Sequence, residues 1–143
     1  MNRNMVLAEW SRARDALRAA ETLTRNRCYA DGISRAYYAI LHAAKAALQV
    51  HDIVAESHAA VRRMFGLHLV RPGEIEPEWS AYLVESLDDR LAADYDVETV
   101  FSKEDASGEC RRCRAFLDRV RRYLLTKGLK ESELRKGYRP TGG

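Results

Sequence analysis

Proline occurs three times in 143 residues and cysteine three times, and no uninterrupted apolar run exceeds a few residues. A bilayer crossing needs roughly 20 consecutive apolar residues, so none is expected. The first ten residues, Met1 to Trp10, hold Arg3 and Glu9 but no apolar block of the kind a secretory leader needs, so the chain is expected in the cytoplasm. Three cysteines, two of them only three positions apart, do not make a secreted disulfide framework; reduced thiols are expected. Also missing are a glycine-rich phosphate loop, a GxSxG elbow, a paired-histidine zinc motif and a carboxylate-rich calcium loop, and neither cofactor nor metal is expected.

The chain does have a globular composition, 46% hydrophobic and 31% charged, with 24 basic residues against 21 acidic ones. That near-balance argues against a self-repelling disordered chain, and the length suits one domain. The charge is uneven. Residues 1–102 hold 12 basic and 15 acidic residues, whereas 103–143 hold 12 and 6. Such asymmetry fits an electrostatic footprint for phosphate-bearing partners, and equally a solvated helix followed by a basic tail.

Apolar residues recur at helical spacing almost throughout. Val6, Trp10, Ala13, Leu17 and Ala20 mark a first helix ending near Leu23. Ile33, Tyr37, Ile40, Ala44 and Leu48 mark a second, central one from about Tyr29 to Val50, whose six alanines between Ala36 and Ala47 permit close helix approach. A shorter helix is expected from about Glu56 to Leu69, ahead of the breakers Pro72 and Gly73. Pro77 opens a fourth, carrying Trp79, Leu83, Leu87 and Leu91. The last starts at Ser102, with Asp105 completing an approximate capping box. Its seam is Ala106, Cys110, Cys113, Leu117, Val120 and Leu124, and Gly128 is placed to end it. The pattern predicts an all-α protein, an antiparallel up-and-down four-helix bundle with one short additional helix. It spans residues 1–128 and is followed by a basic tail, 129–143, that frays.

Cys110 and Cys113 fall on the apolar seam of the last helix and are expected to be core thiols. The central helix is more informative. At 100° per residue, Arg35, Tyr38, His42, Lys45 and Gln49 form a stripe about 130° from the core stripe. Arg35 and His42 lie two turns apart with Tyr38 between them, so a guanidinium, a phenol and an imidazole in line can hold a phosphate and move a proton. The bland alternative is the wet side of an amphipathic helix or the rim of a subunit contact. His51, His58 and His68 are expected in lone surface or core roles.

Four stretches in order resemble the HEPN domain family, specifically its small stand-alone bacterial and archaeal members. They are Ser34-Arg-Ala-Tyr-Tyr-Ala39 running into His42-Ala-Ala44; Ser57-His58 with Phe65-Gly66 and Gly73; Arg90 with Ala93-Asp94-Tyr95-Asp96; and Lys103-Glu104 opening a helix that closes near Phe116 to Leu124. The resemblance implies a helical bundle that forms a homodimer, often paired with a minimal nucleotidyltransferase in a toxin–antitoxin-type module, with RNA or nucleotide as ligand. Many such domains are metal-independent ribonucleases using an Arg-x(4–6)-His motif on a late helix. Here the late stretch Arg90-Leu-Ala-Ala-Asp-Tyr95 has the arginine without the histidine, while Arg35-(x6)-His42 satisfies the wording on an early helix. In the ribonuclease reading Arg35 or Arg90 stabilises the phosphate and His42 is the base, brought together by dimerisation, while the polar stripe offers Tyr38 and Lys45 as ligand contacts. Asp94 and Tyr95 are motif residues, Tyr95 also a candidate for modification. A protein that itself cuts RNA, and a non-catalytic helical adaptor, are the alternatives.

Overall fold

A computed structural model describes residues 1–136. Every regular element among them is helical: α1 (Arg3–Arg25), α2 (Tyr29–Gln49), α3 (His58–Phe65) running into a π-helical turn (Gly66–Val70), α4 (Glu78–Tyr95), α5 (Lys103–Thr126) and α6 (Glu131–Lys136). None is long and apolar enough to cross a membrane.

The boundaries follow local chemistry. Asn2, Ser57 and Ser102 cap α1, α3 and α5 by accepting from backbone N–H groups that have no helical partner. At Ser102 the bond is reciprocal, because the Asp105 carboxylate accepts from the Ser102 N–H at 2.8 Å, completing the capping box. Gly128 ends α5 at φ 96°, a conformation that favours glycine.

Helix α2 is the hub and packs on α1, α3, α4 and α5. All six alanines from Ala36 to Ala47 are buried, with Ile33, Ile40 and Leu48 between them. Small side chains let α1 come close; a Cβ on Gly32 would stand 2.6 Å from Thr24 Oγ1. Gln49, assigned by the helical wheel to the polar stripe, is instead buried at the end of α2. On α5 the whole expected seam, Cys110 and Cys113 included, is buried, and burial pushes both thiols up.

Helix α4 is held differently. Of its residues only Leu83 and Ser86 are fully buried. Its N-terminal end is fixed by an aromatic cluster of Trp79, Tyr82 and Phe116, and by Arg112 of α5, which reaches Glu85 and Asp89 and lies 5.1 Å from the Tyr82 ring centroid.

The expectation that the chain frays beyond Gly128 is corrected for the described part of that tail, since α6 is a second short helix and Leu134 is buried. Trp10 Nε1 donates to the Leu134 carbonyl at 3.1 Å, Arg14 caps the Leu134 and Arg135 carbonyls, and Arg3 Nε donates to Glu133 at 2.7 Å. Helix C-terminal carbonyls need donors, and α1 supplies them. Residues 137–143, the rest of the expected tail, lie outside the described residues.

Candidate functional site

Arg35, Tyr38 and His42 share a wall of the groove between α1 and α2. One cavity of about 550 Å³ is lined by Arg12, Asp15, Arg35, Tyr38 and His42, and a neighbour of equal volume by Glu9, Ser11, Arg12, Asp15 and His42. A third, about 440 Å³, continues past Arg35 and Tyr38 to Ser34 and Asp31. Arg12 and Arg35 are exposed, so two guanidiniums face the groove, with Asp15 opposing them.

His42 is only half-exposed, and its Nδ1 stands 2.7 Å from Glu9 Oε2. A carboxylate only accepts, so Nδ1 carries the proton and the Nε2 lone pair is left free. That leaves a lone pair at the position a general base requires, with Glu9 orienting the ring. The sequence signal for Glu9 is weak, because the pairing spans 33 residues and two helices.

Arg90 reaches the same tyrosine from α4. Its Nη2 donates to the Tyr38 hydroxyl at 3.0 Å, its guanidinium lies 5.1 Å from the Tyr38 ring centroid and 5.5 Å from that of Tyr37, and Nε is 3.0 Å from Asp94 Oδ2. Tyr38 thus meets Arg90 and also Arg35, whose guanidinium lies 5.9 Å from its ring. Tyr95, one residue beyond Asp94, is 71% exposed.

His58, expected in a lone surface or core role, has a partner. Its Nδ1 is hydrogen-bonded to the buried Tyr37 hydroxyl, and its ring meets that of Tyr37 edge-on at 5.2 Å. Burial, then the nearby charges of Arg90 and Lys45, push the imidazole below its ordinary value. Lys45, half-buried on α2, is thus one of the two cations felt at His58. Burial holds the Tyr37 phenol up at about 12, against the pull of Arg90.

The basic last helix is less available than its composition suggested. Of the six arginines on α5, five are tied to carboxylates: Arg112 to Glu85 and Glu109, Arg114 to Glu21, Arg119 to Glu76, Arg121 to Glu131, and Arg122 to Asp118. The charge excess is largely spent inside the fold.

Residues 7–123 match the HEPN domain, and they contain both histidine sites and Arg90. The chain belongs to the HEPN family. It is 37% identical over 112 residues to "Putative toxin MJ0605" of Methanocaldococcus jannaschii, covering 78% of this chain and 83% of that one. A second protein of the same organism, "Putative toxin MJ0142", is 30% identical over 122 residues, covering 85% and 83%. "UPF0332 protein PH1297" of Pyrococcus horikoshii is 45% identical over 76 residues, about half of each chain.

Proposed function

We propose that this HEPN protein, an up-and-down antiparallel arrangement of its four long helices, is the toxin-like component of a module with a minimal nucleotidyltransferase, and that its ligand is RNA. The observation that carries the reading is the α1–α2 groove, where Arg35, Tyr38 and His42 line one cavity while Arg90 approaches Tyr38 from α4. Guanidiniums suit phosphates, and the tyrosine ring offers a face to a base. The partner and a second copy of the chain are assigned to the far end of α4, where Tyr95, Val97 and Val100 expose large apolar surface, 71%, 96% and 91%. Tyr95 is the residue we assign to modification by the nucleotidyltransferase, its phenol oxygen attacking the α-phosphate of a nucleoside triphosphate with loss of pyrophosphate.

A second reading, cleavage by the protein itself without metal, is favoured by the Glu9–His42 pair. His42 Nε2 would take the proton of a ribose 2′-OH, the oxygen would attack the adjacent phosphorus, and the 5′ oxygen would leave with a proton from water, giving a 2′,3′-cyclic phosphate. Arg35 would stabilise the charge that develops.

The test incubates purified protein with labelled RNA in chelator and measures binding across a salt series. Salt-sensitive binding that weakens in Arg35→Ala supports the ligand, and cleavage lost in His42→Ala supports the second reading. Absence of binding at low salt overturns the RNA reading. Co-expression with a minimal nucleotidyltransferase and mass spectrometry of Tyr95 tests the partner, with Tyr95→Phe expected to abolish the added mass.

A further inference from the structure

Helix α1 borders a further cavity on the face turned away from the Arg35–His42 groove. At 100° per residue, Arg12, Asp15 and Ala19 point one way, into that groove, whereas Glu21, Thr24 and Arg25 point nearly the opposite way, toward α5. Between α1 and α5 lies a cavity of about 350 Å³, walled by Thr24 and Arg25 on one side and by Cys110, Arg111 and Arg114 on the other. It shares no residue with the α1–α2 groove.

Its walls are positively charged. Arg111 is the α5 arginine that has neither ion pair nor hydrogen bond among the described residues, and it is exposed. Its Nη2 stands 3.7 Å from where a Cβ on Gly108 would sit, so the guanidinium folds back along α5 to the level of Ser107, whose hydroxyl side chain also lines the cavity. Arg25, exposed as well, donates to Thr22 Oγ1 at 3.2 Å, which leaves most of its N–H groups unused. Arg114 Nη2 meets Glu21 Oε1 at 3.0 Å, and Glu21 is the one carboxylate in the lining. Three guanidiniums against one carboxylate leave positive charge uncompensated.

The floor is neutral. Thr24 Oγ1 donates to the Ala20 carbonyl at 2.8 Å and stands 3.7 Å from Cys110 Sγ. Burial pushes the Cys110 thiol up, against the pull of Arg114, so it stays an S–H and sets no thiolate against an incoming anion.

We propose that the α1–α5 cavity binds a small, multiply charged oxyanion, held by Arg25 from α1 and Arg111 from α5, with Arg114 and Ser107 at its edge. Planar guanidiniums from two helices suit the paired oxygens of carboxylate or phosphate groups, and the volume suits a small molecule. The site stands apart from the RNA reading, since it uses the other face of α1. An occupant would tie the last turn of α1 to α5 and so raise the thermal midpoint.

The experiment titrates the full chain calorimetrically at low salt with inorganic phosphate and, separately, with citrate. Binding at one site is expected, weaker in about 150 mM NaCl because the guanidiniums are exposed. Arg25→Gln and Arg111→Gln should each weaken it roughly tenfold. Both side chains are exposed, so both variants should fold, and the thermal midpoint without ligand checks this. Arg71→Gln, which removes an equal charge from an exposed position outside the cavity, should leave affinity unchanged. Cys110 reports where the anion sits: occupancy should slow its alkylation by iodoacetamide, while the exposed Cys28 reacts at an unchanged rate. Phosphate binding with citrate silent identifies a tetrahedral oxyanion, the reverse identifies a polycarboxylate, and either supports the site. Three results overturn it: no binding of either anion at low salt, an affinity that Arg111→Gln alters no more than Arg71→Gln, or Cys110 alkylation indifferent to the bound anion.

Discussion

Arg90 and Tyr38 lie 52 residues apart in the chain, yet the guanidinium both donates to the tyrosine hydroxyl at 3.0 Å and rests against its ring. The contact ties α4 to α2 at the one place where the least buried long helix carries its motif residues. Tyr38→Phe keeps the ring and removes the acceptor, so it should cost about 1.5–3 kcal/mol in urea unfolding, the range for a hydrogen bond to a charged group. Arg90→Ala should cost more, since it also loses both ring contacts and strands Asp94. In the Arg90→Ala background the cost of Tyr38→Phe should largely vanish. Equal costs in both backgrounds would show that the bond contributes nothing to holding α4.

Gly32 sets the spacing of α1 and α2. A methyl group there would stand 2.6 Å from Thr24 Oγ1 and 3.2 Å from the Ala20 carbonyl, and Thr24 is itself anchored by donating to that carbonyl at 2.8 Å. Alanine gains about 1 kcal/mol over glycine in helix propensity. Overpacking a tight contact costs about 1–3 kcal/mol, so the clash should win. Gly32→Ala is therefore expected to lower the thermal midpoint, and adding Thr24→Ala should restore part of it. A single Gly32→Ala variant more stable than wild type would mean that the helices separate without penalty.

Helix α6 hangs on one apolar side chain and a set of polar anchors, so its loss should be local. Leu134→Ala is expected to cost about 2–4 kcal/mol for a buried leucine, and to shift Trp10 fluorescence as α6 undocks and carries its backbone carbonyl away from the indole N–H. Acid should act at the same place. Hydrogen bonding to Arg3 holds the Glu133 carboxyl down at about 2, against an ordinary 4.5. A depressed carboxylate stabilises the fold above its unfolded value, and that contribution fades as pH falls through the window from 4.5 to about 2. Glu133→Gln should remove this acid-dependent part of the Trp10 signal, and an unchanged acid transition would place its origin elsewhere.

These cases show what was legible in the sequence. The seams of α1, α2 and α5 announced themselves because each is a repeat within one helix: Val6, Trp10 and Ala13, or Cys110, Cys113 and Leu117, all of them buried. Helix α6 gave no such signal, since Glu-Ser-Glu-Leu-Arg-Lys has a single apolar residue and docks through its backbone carbonyls to side chains some 120 residues away. The grouping of Arg35, Tyr38 and His42 followed from the helical wheel of α2 alone. Glu9 and the partner of His58 escaped for the opposite reason, because each pairing joins two helices. A wheel reports which residues share a face, and only tertiary packing reports which proton each histidine carries.

The carboxyl of Glu109 is buried between α4 and α5 in an incompletely satisfied setting. Its Oε1 accepts from Arg112 Nη1 at 3.0 Å, but Oε2, like the buried Ser86 Oγ of α4, has no hydrogen-bond partner among the described residues. Burial first, then the nearness of Asp89, pushes Glu109 up to about 8, with Arg112 pulling the other way. The fold thus favours the protonated acid. For an acid raised in the folded state, the stabilisation is complete below the unfolded value of 4.5 and is lost as pH rises through about 8. Glu109→Gln keeps the shape and one hydrogen-bonding oxygen while removing the titration. Its urea midpoint should match wild type at about pH 4.5 and exceed it above about pH 8, because the variant never places a second negative charge beside Asp89. Parallel midpoints across that range would mean that Glu109 stays ionised throughout, held by Arg112. The difference bears on function because Asp89 immediately precedes Arg90 on α4. If Glu109 loosens α4 on ionising, wild type should lose Arg90 contact with Tyr38 at alkaline pH and Glu109→Gln should keep it, which the Tyr38 ring resonances would report.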